Sequence, residues 1–480
     1  MKKILFAAAE GLPFVKTGGL ADVIGSLPEQ LCDEGYEVSV VMPLYLKTAR
    51  TQHHTLSKLV TFPVEVGKIQ SVATVYSRVV GRVTYYLIEH AGYFERDGYY
   101  GYPDDGERFA YFQHAVLRMI QEKVTIPDVL HCHDWHTGLI PLLARTLYND
   151  PSHKLLTLFT IHNLAFQGNF PYGMLESCVG VSNSYYFDGT LRFHDGISFM
   201  KAGILYSDIV TTVSETYAEE ILTPDFGEHM EDVLRMRKRD LYGIVNGIDT
   251  VLWDPKTDKA LALNYDLRSI GKGKAANKAA IQRELGLRED PNAFVVAMVS
   301  RLTGQKGIQL ILESMNEIMG WDQQLIILGT GDSAVEDDLK SIEFRFPHRA
   351  VFYCGYHEEL AHRIYAGADL FLMPSAFEPC GISQLIAMHY GTLPLVRETG
   401  GLKDTVDSYN EYNGKGTGFS FGTFSGNDFR HVLRYANDTY YKKPEDFRNM
   451  VKQAMKKDVS WRKSAKEYAR LIEKKYNQKA

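Results

Sequence analysis

Short runs of apolar residues alternate with longer segments of helical periodicity along nearly the whole chain. In the first half, the runs at residues 4–9, 38–42, 129–131, 156–161 and 209–213 predict buried strands. In the second half, the corresponding runs lie at residues 294–299, 325–328, 351–353, 370–373 and 393–396. Near-continuous apolar runs separated by helices are typical of parallel sheets that are covered on both faces. The pattern therefore predicts an α/β protein with two doubly wound domains.

The predicted seam between these domains lies near residues 245–249, where a turn dipeptide ends one alternating series. Segment 256–278 is polar and rich in Gly and Lys, and it predicts a linker followed by an exposed helix start. A charged amphipathic helix is predicted over residues 461–476. We therefore predict an N-terminal domain over residues 1–245, a C-terminal domain over 246–455 and a closing segment over 456–480.

Composition narrows the classes of partner. The 480 residues carry a net charge of -6, which gives no reason to expect nucleic acid or an anionic membrane as a partner. The five cysteines are scattered and odd in number, which favours a reducing cytoplasm over a disulfide framework. No apolar run approaches the ~18 residues that a membrane helix needs.

The tetrapeptide Thr-Gly-Gly-Leu occurs twice, at residues 17–20 and 399–402. Each copy follows a short apolar run and precedes a segment of helical pattern. A Gly-Gly pair between strand and helix leaves backbone N–H groups free to approach an anion. For either copy alone, an ordinary turn is the favoured interpretation. Lys16 precedes the first copy, whereas Glu398 precedes the second.

Two cations around a glycine, Arg301 and Lys306, follow a predicted strand and precede a helix. Such a pair suits a diphosphate, because each charge-assisted hydrogen bond is worth ~1.5–3 kcal/mol; the alternative is a solvated loop. Segment 329–334 fits G-x-G-x-x-A, a weak Rossmann dinucleotide fingerprint. The following predicted strand ends in Cys354 and Gly355 rather than in an acid that would hold a ribose hydroxyl, which argues against a nicotinamide cofactor.

Polar side chains also stand at two predicted strand ends in the first half. Residues 131–136 read His-Cys-His-Asp-Trp-His, which resembles a metal cluster. Alternate residues of a strand share a face, so His131 and His133 could lie together while Asp134 and His136 enter the turn. A metal site, a polar wall of a cleft and structural histidines all remain open. His162 follows the next strand, and a neutral imidazole there could donate to a sugar hydroxyl.

An acidic turn at residues 377–383 follows the strand at 370–373 and is predicted to open a helix. Glu378 would lie against exposed backbone amides, which stabilise a carboxylate by ~0.3–1 kcal/mol through the helix dipole. It could hold sugar hydroxyls or stabilise positive charge at a reacting carbon. The alternative is an N-terminal capping acid.

Together these motifs resemble those of the bacterial starch and glycogen synthases. The resemblance rests on eight segments in order between about residues 1 and 470, which include 16–20, 133–136, 160–168, 246–253, 301–306, 329–332, 377–381 and 399–402. It implies a GT-B fold, with two Rossmann-like domains facing across a deep cleft and a C-terminal helix, in segment 456–480, that crosses back to the N-terminal domain. It also implies retaining transfer of glucose from ADP-glucose to the non-reducing end of an α-1,4-glucan such as glycogen, without a metal or other cofactor.

The resemblance implies roles for individual residues. Glu378 and His162 would act at the transferred glucose, and Arg301 and Lys306 would stabilise the leaving diphosphate. The remaining implied substrate contacts are Lys16, Gly18, Gly19, Asp134, Asn246, Tyr356, Cys380, Gly381, Ser383, Thr399 and Gly400. The implied acceptor contacts are Glu10, Trp135 and His136. The cations lie in both predicted domains, so we expect domain closure to assemble the site.

Some residues depart from the family pattern. Ala376 stands where many relatives carry Arg, and Phe166 replaces a frequent Tyr; neither change removes an implied catalytic group. A related sucrose-type or UDP-sugar transferase and a non-catalytic glucan-binding protein remain as alternatives. The second of these would have no use for Lys16, Arg301, Lys306 and Glu378 together.

Overall fold

The chain divides into two compact units in a computed structural model that describes residues 1–67 and 69–479. Unit 1 comprises Met1–Asn246 and the chain from Trp461 onward, and unit 2 comprises Gly247–Ser460. Ala480, the last residue of the predicted segment 456–480, lies outside the described residues. No helix in the described part of the chain has the length and apolar character that a membrane crossing requires.

Unit 1 is built on a mixed sheet of nine described strands, in the order β12-β11-β7-β6-β1-β2-β5-β4-β3. Strands β12 to β5 are parallel, whereas β5, β4 and β3 pair antiparallel. A small antiparallel sheet has the order β8-β10-β9. The strands are β1 (Lys3–Ala7), β2 (Glu37–Pro43), β3 (Ser57–Val66), β4 (Ile69–Val80), β5 (Val83–Glu89), β6 (Val129–His133), β7 (Leu156–Ile161), β8 (Asn169–Pro171), β9 (Arg192–Phe193), β10 (Gly196–Ser198), β11 (Ile209–Thr212) and β12 (Leu241–Gly243).

The antiparallel edge was not predicted, and the expectation of a wholly parallel sheet is wrong in unit 1. In β3, Phe62, Val64 and Val66 are buried while the residues between them are exposed. This alternation of period 2 marks a strand with one solvated face. The central β1 is different, because Ile4, Leu5 and Phe6 are all fully buried. A search for continuous apolar runs therefore finds β1 and misses β3.

Helices cover the sheet of unit 1. They are α1 (Gly19–Asp33), α2 (Leu46–Gln52), α3 (Ala91–Phe94), α4 (Asp105–Gln121), α5 (Ile140–Arg145), α6 (Ser184–Phe187), α7 (Phe199–Tyr206), α8 (Glu215–Glu220) and α9 (Glu231–Met236). A 3₁₀ turn at Trp135–Thr137 follows β6.

Unit 2 is built on a parallel sheet, with the described strands in the order β15-β14-β13-β16-β17-β18. The strands are β13 (Val295–Val299), β14 (Gln324–Gly329), β15 (Ala350–Cys354), β16 (Leu370–Met373), β17 (Leu393–Arg397) and β18 (Phe419–Phe421). The helices are α10 (Ile270–Glu284), α11 (Ile308–Ile318), α12 (Ser333–Arg345), α13 (Glu358–Gly367), α14 (Ser383–His389), α15 (Gly400–Thr405), α16 (Gly426–Lys442) and α17 (Pro444–Lys456). The five strands predicted in this half are present, and β18 is an addition.

The predicted exposed helix start in segment 256–278 holds only in part, because Gly271 and Lys272 are exposed whereas Lys278 is buried. Helix α10 carries Lys278 into the interior, where its Nζ lies 2.7 Å from Asp369 Oδ2 and only 6% of its side chain is exposed. Lys274, one turn earlier, donates to the carbonyl of Ala368 and to the hydroxyl of Thr392. The sequence suggested solvent exposure because both side chains are charged, but acceptors brought by distant segments satisfy them.

The last helix, α18 (Arg462–Gln478), belongs to unit 1. Glu473 accepts hydrogen bonds from Lys2 Nζ at 2.8 Å and from Tyr36 Oη at 3.0 Å. The Tyr468 ring lies 5.5 Å from the ring of His131 on β6. The helix thus ties the end of the chain to α1 and to the strands at the centre of the unit 1 sheet.

Candidate active site

The first Thr-Gly-Gly-Leu copy forms a braced turn between β1 and α1. Glu10 Oε2 accepts from the backbone N–H of Thr17 at 2.7 Å and from its hydroxyl at 2.6 Å. Lys16 Nζ lies 2.7 Å from Asp22 Oδ1 on the first turn of α1. Burial raises the pKa of Glu10. A Cβ placed on Gly19 would meet no atom within 4 Å, so the glycine side of this turn is open.

These contacts give Glu10 a clear role within unit 1. Glu10, a predicted acceptor contact, accepts both hydrogen bonds from Thr17 at Oε2 and so holds the Thr-Gly-Gly turn. Only 3% of the residue is exposed. Glu10 therefore fixes the position of this turn within unit 1.

Three imidazoles line the ends of β6 and β7. His133 Nδ1 lies 2.9 Å from His162 Nε2, and His131 Nε2 lies 2.7 Å from Thr160 Oγ1. Burial lowers the pKa of His162 to about 3 and holds the pKa values of His131 and His133 well below their usual range. All three rings are therefore neutral at pH 7, and neutral rings are suited to exchanging hydrogen bonds with hydroxyl groups.

Asp134 links the ends of these two strands. Its φ of +55° lies in a region that few residues other than glycine adopt. Its Oδ1 accepts from the N–H of His162 at 2.8 Å, and its own N–H donates to the carbonyl of Thr160 at 3.0 Å. Burial raises the pKa of Asp134 to about 7. Backbone strain of this kind persists where the surrounding structure over-determines it, often at functional sites.

The turn after β6 does not have the geometry of a metal cluster. Asp134 is engaged with His162, while His136 stacks on Trp135 at 4.0 Å and meets the Phe109 ring edge-on at 4.7 Å. Within residues 1–67 and 69–479, no group of three or more side chains is arranged to hold a metal ion. The His-Cys-His-Asp-Trp-His segment instead serves as a wall of neutral histidines backed by an aromatic cluster.

Trp135 and His136 lie in that aromatic cluster. Trp135 is 8% exposed and also faces the Phe170 ring at 5.4 Å. A Cβ on Gly168 would come within 2.6 Å of the indole, so the chain after β7 passes directly over this ring. Burial lowers the pKa of His136 to about 3. The Trp135 indole is therefore packed within the protein for most of its surface.

In unit 2, the structure brings together two residues that were predicted separately. Lys306 Nζ lies 2.6 Å from Glu378 Oε2, and the Ser375 hydroxyl donates to the same oxygen at 3.2 Å. The side chains of Lys306 and Glu378 are 18% and 7% exposed. Lys306 ends a 3₁₀ turn at Gly304–Lys306 after β13, and Glu378 follows β16, so both stand beyond the carboxyl ends of adjacent parallel strands.

The expectation that Glu378 lies against the amides at a helix start is wrong. Helix α14 begins at Ser383, and the residue that precedes it is Ile382. Gly381, with φ +73°, turns the chain between the acid and the helix. Glu378 therefore does not cap α14, and its carboxylate is paired with the Lys306 ammonium.

The backbone of the second Thr-Gly-Gly-Leu copy packs directly against the turn that carries Glu378. A Cβ on Gly400 would lie 2.0 Å from the carbonyl oxygen of Glu378, and one on Gly401 would lie 2.3 Å from that of Cys380. The Gly401 N–H donates to the Glu378 carbonyl at 3.2 Å. The glycines are required here because another backbone passes against them. The two copies of the tetrapeptide therefore differ, since the first is open and the second is filled by the fold.

The weak dinucleotide fingerprint at 329–334 has a similar explanation. A Cβ on Gly329 would lie 1.9 Å from the carbonyl oxygen of Ser300, and one on Gly331 would lie 2.2 Å from that of Leu302. The glycines admit the loop that carries Arg301, whose side chain is on the exposed part of that loop. The glycine spacing therefore reflects close packing of two loops.

The other predicted contacts lie at strand and helix ends. Tyr356 follows β15 and is 72% exposed, as a stacking surface would require. Asn246 is 8% exposed at the end of the first segment of unit 1, and Cys380 is 4% exposed and is not part of a disulfide. Ser383 is the first residue of α14, and Thr399 directly precedes α15.

Two family models match the chain. The starch synthase catalytic domain matches residues 3–236, and the glycosyl transferases group 1 model matches residues 277–470. The glycogen synthase of Desulforamulus reducens is 45% identical over 474 residues, which cover 98% of each chain. That of Streptococcus sanguinis is 47% identical over 473 residues, which cover 98% of this chain and 99% of the relative. The chain belongs to the starch and glycogen synthase family.

Solved structures agree with this membership. The catalytic domain of starch synthase IV from Arabidopsis thaliana, bound to ADP and acarbose, matches with a TM-score of 0.90 at 31% identity over 99% of each chain. Sucrose-phosphate synthase from Thermosynechococcus elongatus matches with a TM-score of 0.64 at 17% identity over 100% of each chain, which shows a shared fold alone. The predicted GT-B fold and the predicted membership of the starch and glycogen synthase family are both confirmed.

The sequence did not reveal which side chains support the predicted site residues. Ser375 donates to Glu378, and Thr160 forms a hydrogen bond with His131. The brace between Glu10 and Thr17 was also not predicted. A signal for the first two was available, because each is a hydroxyl residue at or just beyond the carboxyl end of a predicted strand.

Proposed function

We propose that the chain transfers glucose from ADP-glucose to the non-reducing end of glycogen or another α-1,4-glucan, with retention at the anomeric carbon. Membership of the starch and glycogen synthase family gives the reaction class. The ion pair between Lys306 and Glu378 supports the assignment of the catalytic centre. Its two charged atoms lie 2.6 Å apart, and both side chains are largely buried.

This pair supplies both signs of charge that glucosyl transfer needs. When the bond between the anomeric carbon and the diphosphate oxygen breaks, negative charge grows on the leaving ADP and positive charge grows on the sugar. We assign Lys306 and Arg301 to the diphosphate and Glu378 to the sugar. Fixed charges in a site that excludes water stabilise a transition state without reorganising, which is commonly the largest contribution to catalysis. The chain's own cations supply the positive charge, so we propose no cofactor.

The proposal assigns further donor contacts in unit 2. Tyr356 would stack on the adenine base, which its 72% exposure allows. The backbone at Cys380 and Gly381 and the side chain of Ser383 would meet the glucose. Thr399 and Gly400 keep their proposed diphosphate contacts, and Gly400 also supports the Glu378 turn.

Unit 1 carries the remaining proposed contacts. Lys16 would meet a phosphate, and the open turn at Gly18 and Gly19 leaves room for close approach of a ligand to the backbone. His162 would exchange hydrogen bonds with the transferred glucose as a neutral imidazole, with Asp134 holding its backbone. Asn246 would line the same sugar. Glu10, Trp135 and His136 remain the proposed acceptor contacts.

We also propose the cytoplasm as the compartment. All five cysteines lie among the described residues and none is in a disulfide, and Cys354 is exposed. Free thiols persist in a reducing compartment.

The test supplies ADP-glucose and UDP-glucose in turn with glycogen and measures nucleotide release and incorporated glucose. We expect ADP release coupled to new α-1,4 linkages that β-amylase digests. The Glu378→Gln variant should lose about 10²-fold or more in kcat, whereas Glu398→Gln, an exposed acid of the same unit, should not. No nucleotide release from either donor would refute the transferase, and full activity of Glu378→Gln would remove Glu378 from its centre.

A further inference from the structure

A pocket of ≈ 630 Å³ lies on unit 2 between the loop at residues 408–418 and helix α17. Its volume is within the ~300–1,000 Å³ typical of small-molecule sites. The loop contributes Tyr412, Asn413 and Lys415, and the helix contributes a polar side. None of these residues has a role in the function proposed above.

Topology places this pocket away from the Glu378 turn. The loop leads into β18, and Ser408 pairs with Gly418 just before that strand begins. Glu378 follows the carboxyl end of β16. Because β16, β17 and β18 are parallel, the amino end of β18 and the carboxyl end of β16 lie at opposite edges of the sheet. The pocket is therefore a separate surface of unit 2.

The loop wall is held in shape by its own hydrogen bonds. The N–H of Asn410 donates to the Lys415 carbonyl at 2.8 Å, and the N–H of Gly414 donates back to the Asn410 carbonyl at 2.9 Å. Asn410 Oδ1 accepts from the N–H of Tyr412 at 2.9 Å, and Gln453 Nε2 on α17 donates to the Gly414 carbonyl at 3.2 Å. A wall fixed in this way loses little conformational entropy when a ligand binds.

The helix wall presents amide and ammonium groups on one side. Phe447, Met450 and Ala454 face the core. Asn449, Lys452, Gln453 and Lys456 are spaced by three and four residues on another side, and all four line the pocket. The wall thus offers hydrogen-bond donors and acceptors in a row about two turns long.

Tyr412 is the unusual member of the loop wall. It is 93% exposed, so its whole ring is presented to solvent at the edge of the polar pocket. A phenol ring combines an apolar face with a polar tip. An aromatic face beside mixed donors and acceptors matches a pyranose ring, which has an apolar C–H face and a rim of hydroxyls.

The charges around the pocket favour an uncharged ligand over an anion. Asp446 and Glu411 carry negative charge among the three lysines of the lining. Asp446 accepts from the hydroxyl of Tyr409 at 2.5 Å. Glu411 is paired at 2.8 Å with Lys443, which is not a lining residue. A site built for phosphate would not place two carboxylates in its wall.

We propose that this pocket binds an α-1,4-glucan chain at a second site, remote from the transfer reaction, and so anchors a polymeric acceptor. The inference rests on the proposed function, since it takes the ligand to be the acceptor of that reaction. A branched polymer can occupy the pocket with one chain while another is extended. Such bivalent contact raises the effective concentration of chain ends.

The test compares the full-length protein with Tyr412→Ala and Asn449→Ala in native gels that contain glycogen. Phe344→Ala, an 88% exposed aromatic on α12, is the matched control. We expect the two pocket variants to be retarded roughly threefold to tenfold less by glycogen, and the control to behave as the wild type. Their kcat and their KM for maltotriose should be unchanged, while the glycogen concentration at half-maximal rate should rise by a similar factor.

Retardation needs no ADP-glucose, so it stays informative if the transferase proposal fails. Equal retardation of the wild type and both pocket variants would overturn the second site. A pocket that binds inorganic phosphate in calorimetry, with Lys452→Ala abolishing that binding and Tyr412→Ala leaving glycogen retention intact, would show an anion site instead and would also overturn it.

Discussion

The Gly400→Ala substitution tests whether the second Thr-Gly-Gly copy positions Glu378. The new Cβ would lie 2.0 Å from the Glu378 carbonyl oxygen, whereas ordinary van der Waals contact begins near 3.4 Å. Relief of the overlap requires a separation of the two backbones by about 1.4 Å, the difference between these distances. The φ of +44° at Gly400 adds strain for any residue with a Cβ.

Both effects have an expected size. The left-handed conformation costs alanine about 1–2 kcal/mol, and the displaced backbone adds to this, so we expect unfolding free energy to fall by at least ~2 kcal/mol. For a unit of this size that corresponds to a Tm lower by about 4–8 °C. A displacement of about 1 Å at a catalytic group can cost ~10²-fold in rate, so kcat should fall by about that factor.

Calorimetry and the ADP-release assay measure the two quantities on the same preparation. Gly422→Ala is the matched control, because a Cβ at Gly422 would meet nothing within 4 Å and its φ is not positive. The control should keep the wild-type Tm and kcat. A Gly400→Ala enzyme with wild-type Tm and kcat would refute the role given to Gly400. An equal loss in Gly422→Ala would show that the effect of Gly400→Ala is not specific to the contact with Glu378.

Three further substitutions probe other parts of the site. Gly19→Ala should keep the wild-type Tm, since its Cβ would meet nothing within 4 Å, but should raise KM for ADP-glucose; an unchanged KM would remove Gly19 from the donor contacts. Lys306→Ala leaves the carboxylate of Glu378 buried and unpaired, so the free energy of unfolding should fall by about 3–5 kcal/mol in calorimetry; Lys340→Ala, which breaks an exposed pair, should show no measurable change. Asp134 has a pKa of about 7 against an ordinary 3.8, so between pH 4 and 7 the folded state holds a proton that the unfolded state has lost, and stability falls as pH rises. The Tm difference between Asp134→Asn and the wild type should therefore rise in favour of the variant from pH 4 to 7 and stay constant above pH 7. A difference that is constant from pH 4 to 7 would contradict the raised pKa.

The sequence predicts the parts of this protein that depend on local pattern. The apolar runs of β1, β7 and β16 are continuous because these strands are buried on both faces, so their position and direction follow from the sequence alone. Strand β3 was missed because one of its faces is solvated. The missed feature is the exposure of one face of β3, which depends on the position of the strand at the edge of the sheet. That position follows from pairing with other strands and is not contained in the segment itself.

The parts of the site that could not be predicted are contacts between distant segments. Lys306 and Glu378 are 72 residues apart and were each recognised, but their ion pair follows from the adjacency of β13 and β16. The requirement for Gly400 comes from the Glu378 carbonyl, 22 positions earlier in the numbering. A Thr-Gly-Gly run looks the same whether a ligand or another backbone fills the space that the missing side chains leave.

The return of the chain to unit 1 through α18 sets an order for biosynthesis. Unit 2 is one continuous stretch, so all of it has been translated before α18 emerges from the ribosome. Unit 1 depends on contacts that join its two distant segments, such as Lys2 with Glu473 and Asp128 with Tyr476. Since domains generally fold as units during synthesis, the unit translated second is completed first. Until α18 has been translated, the surface of α1 that α18 contacts is open to chaperones.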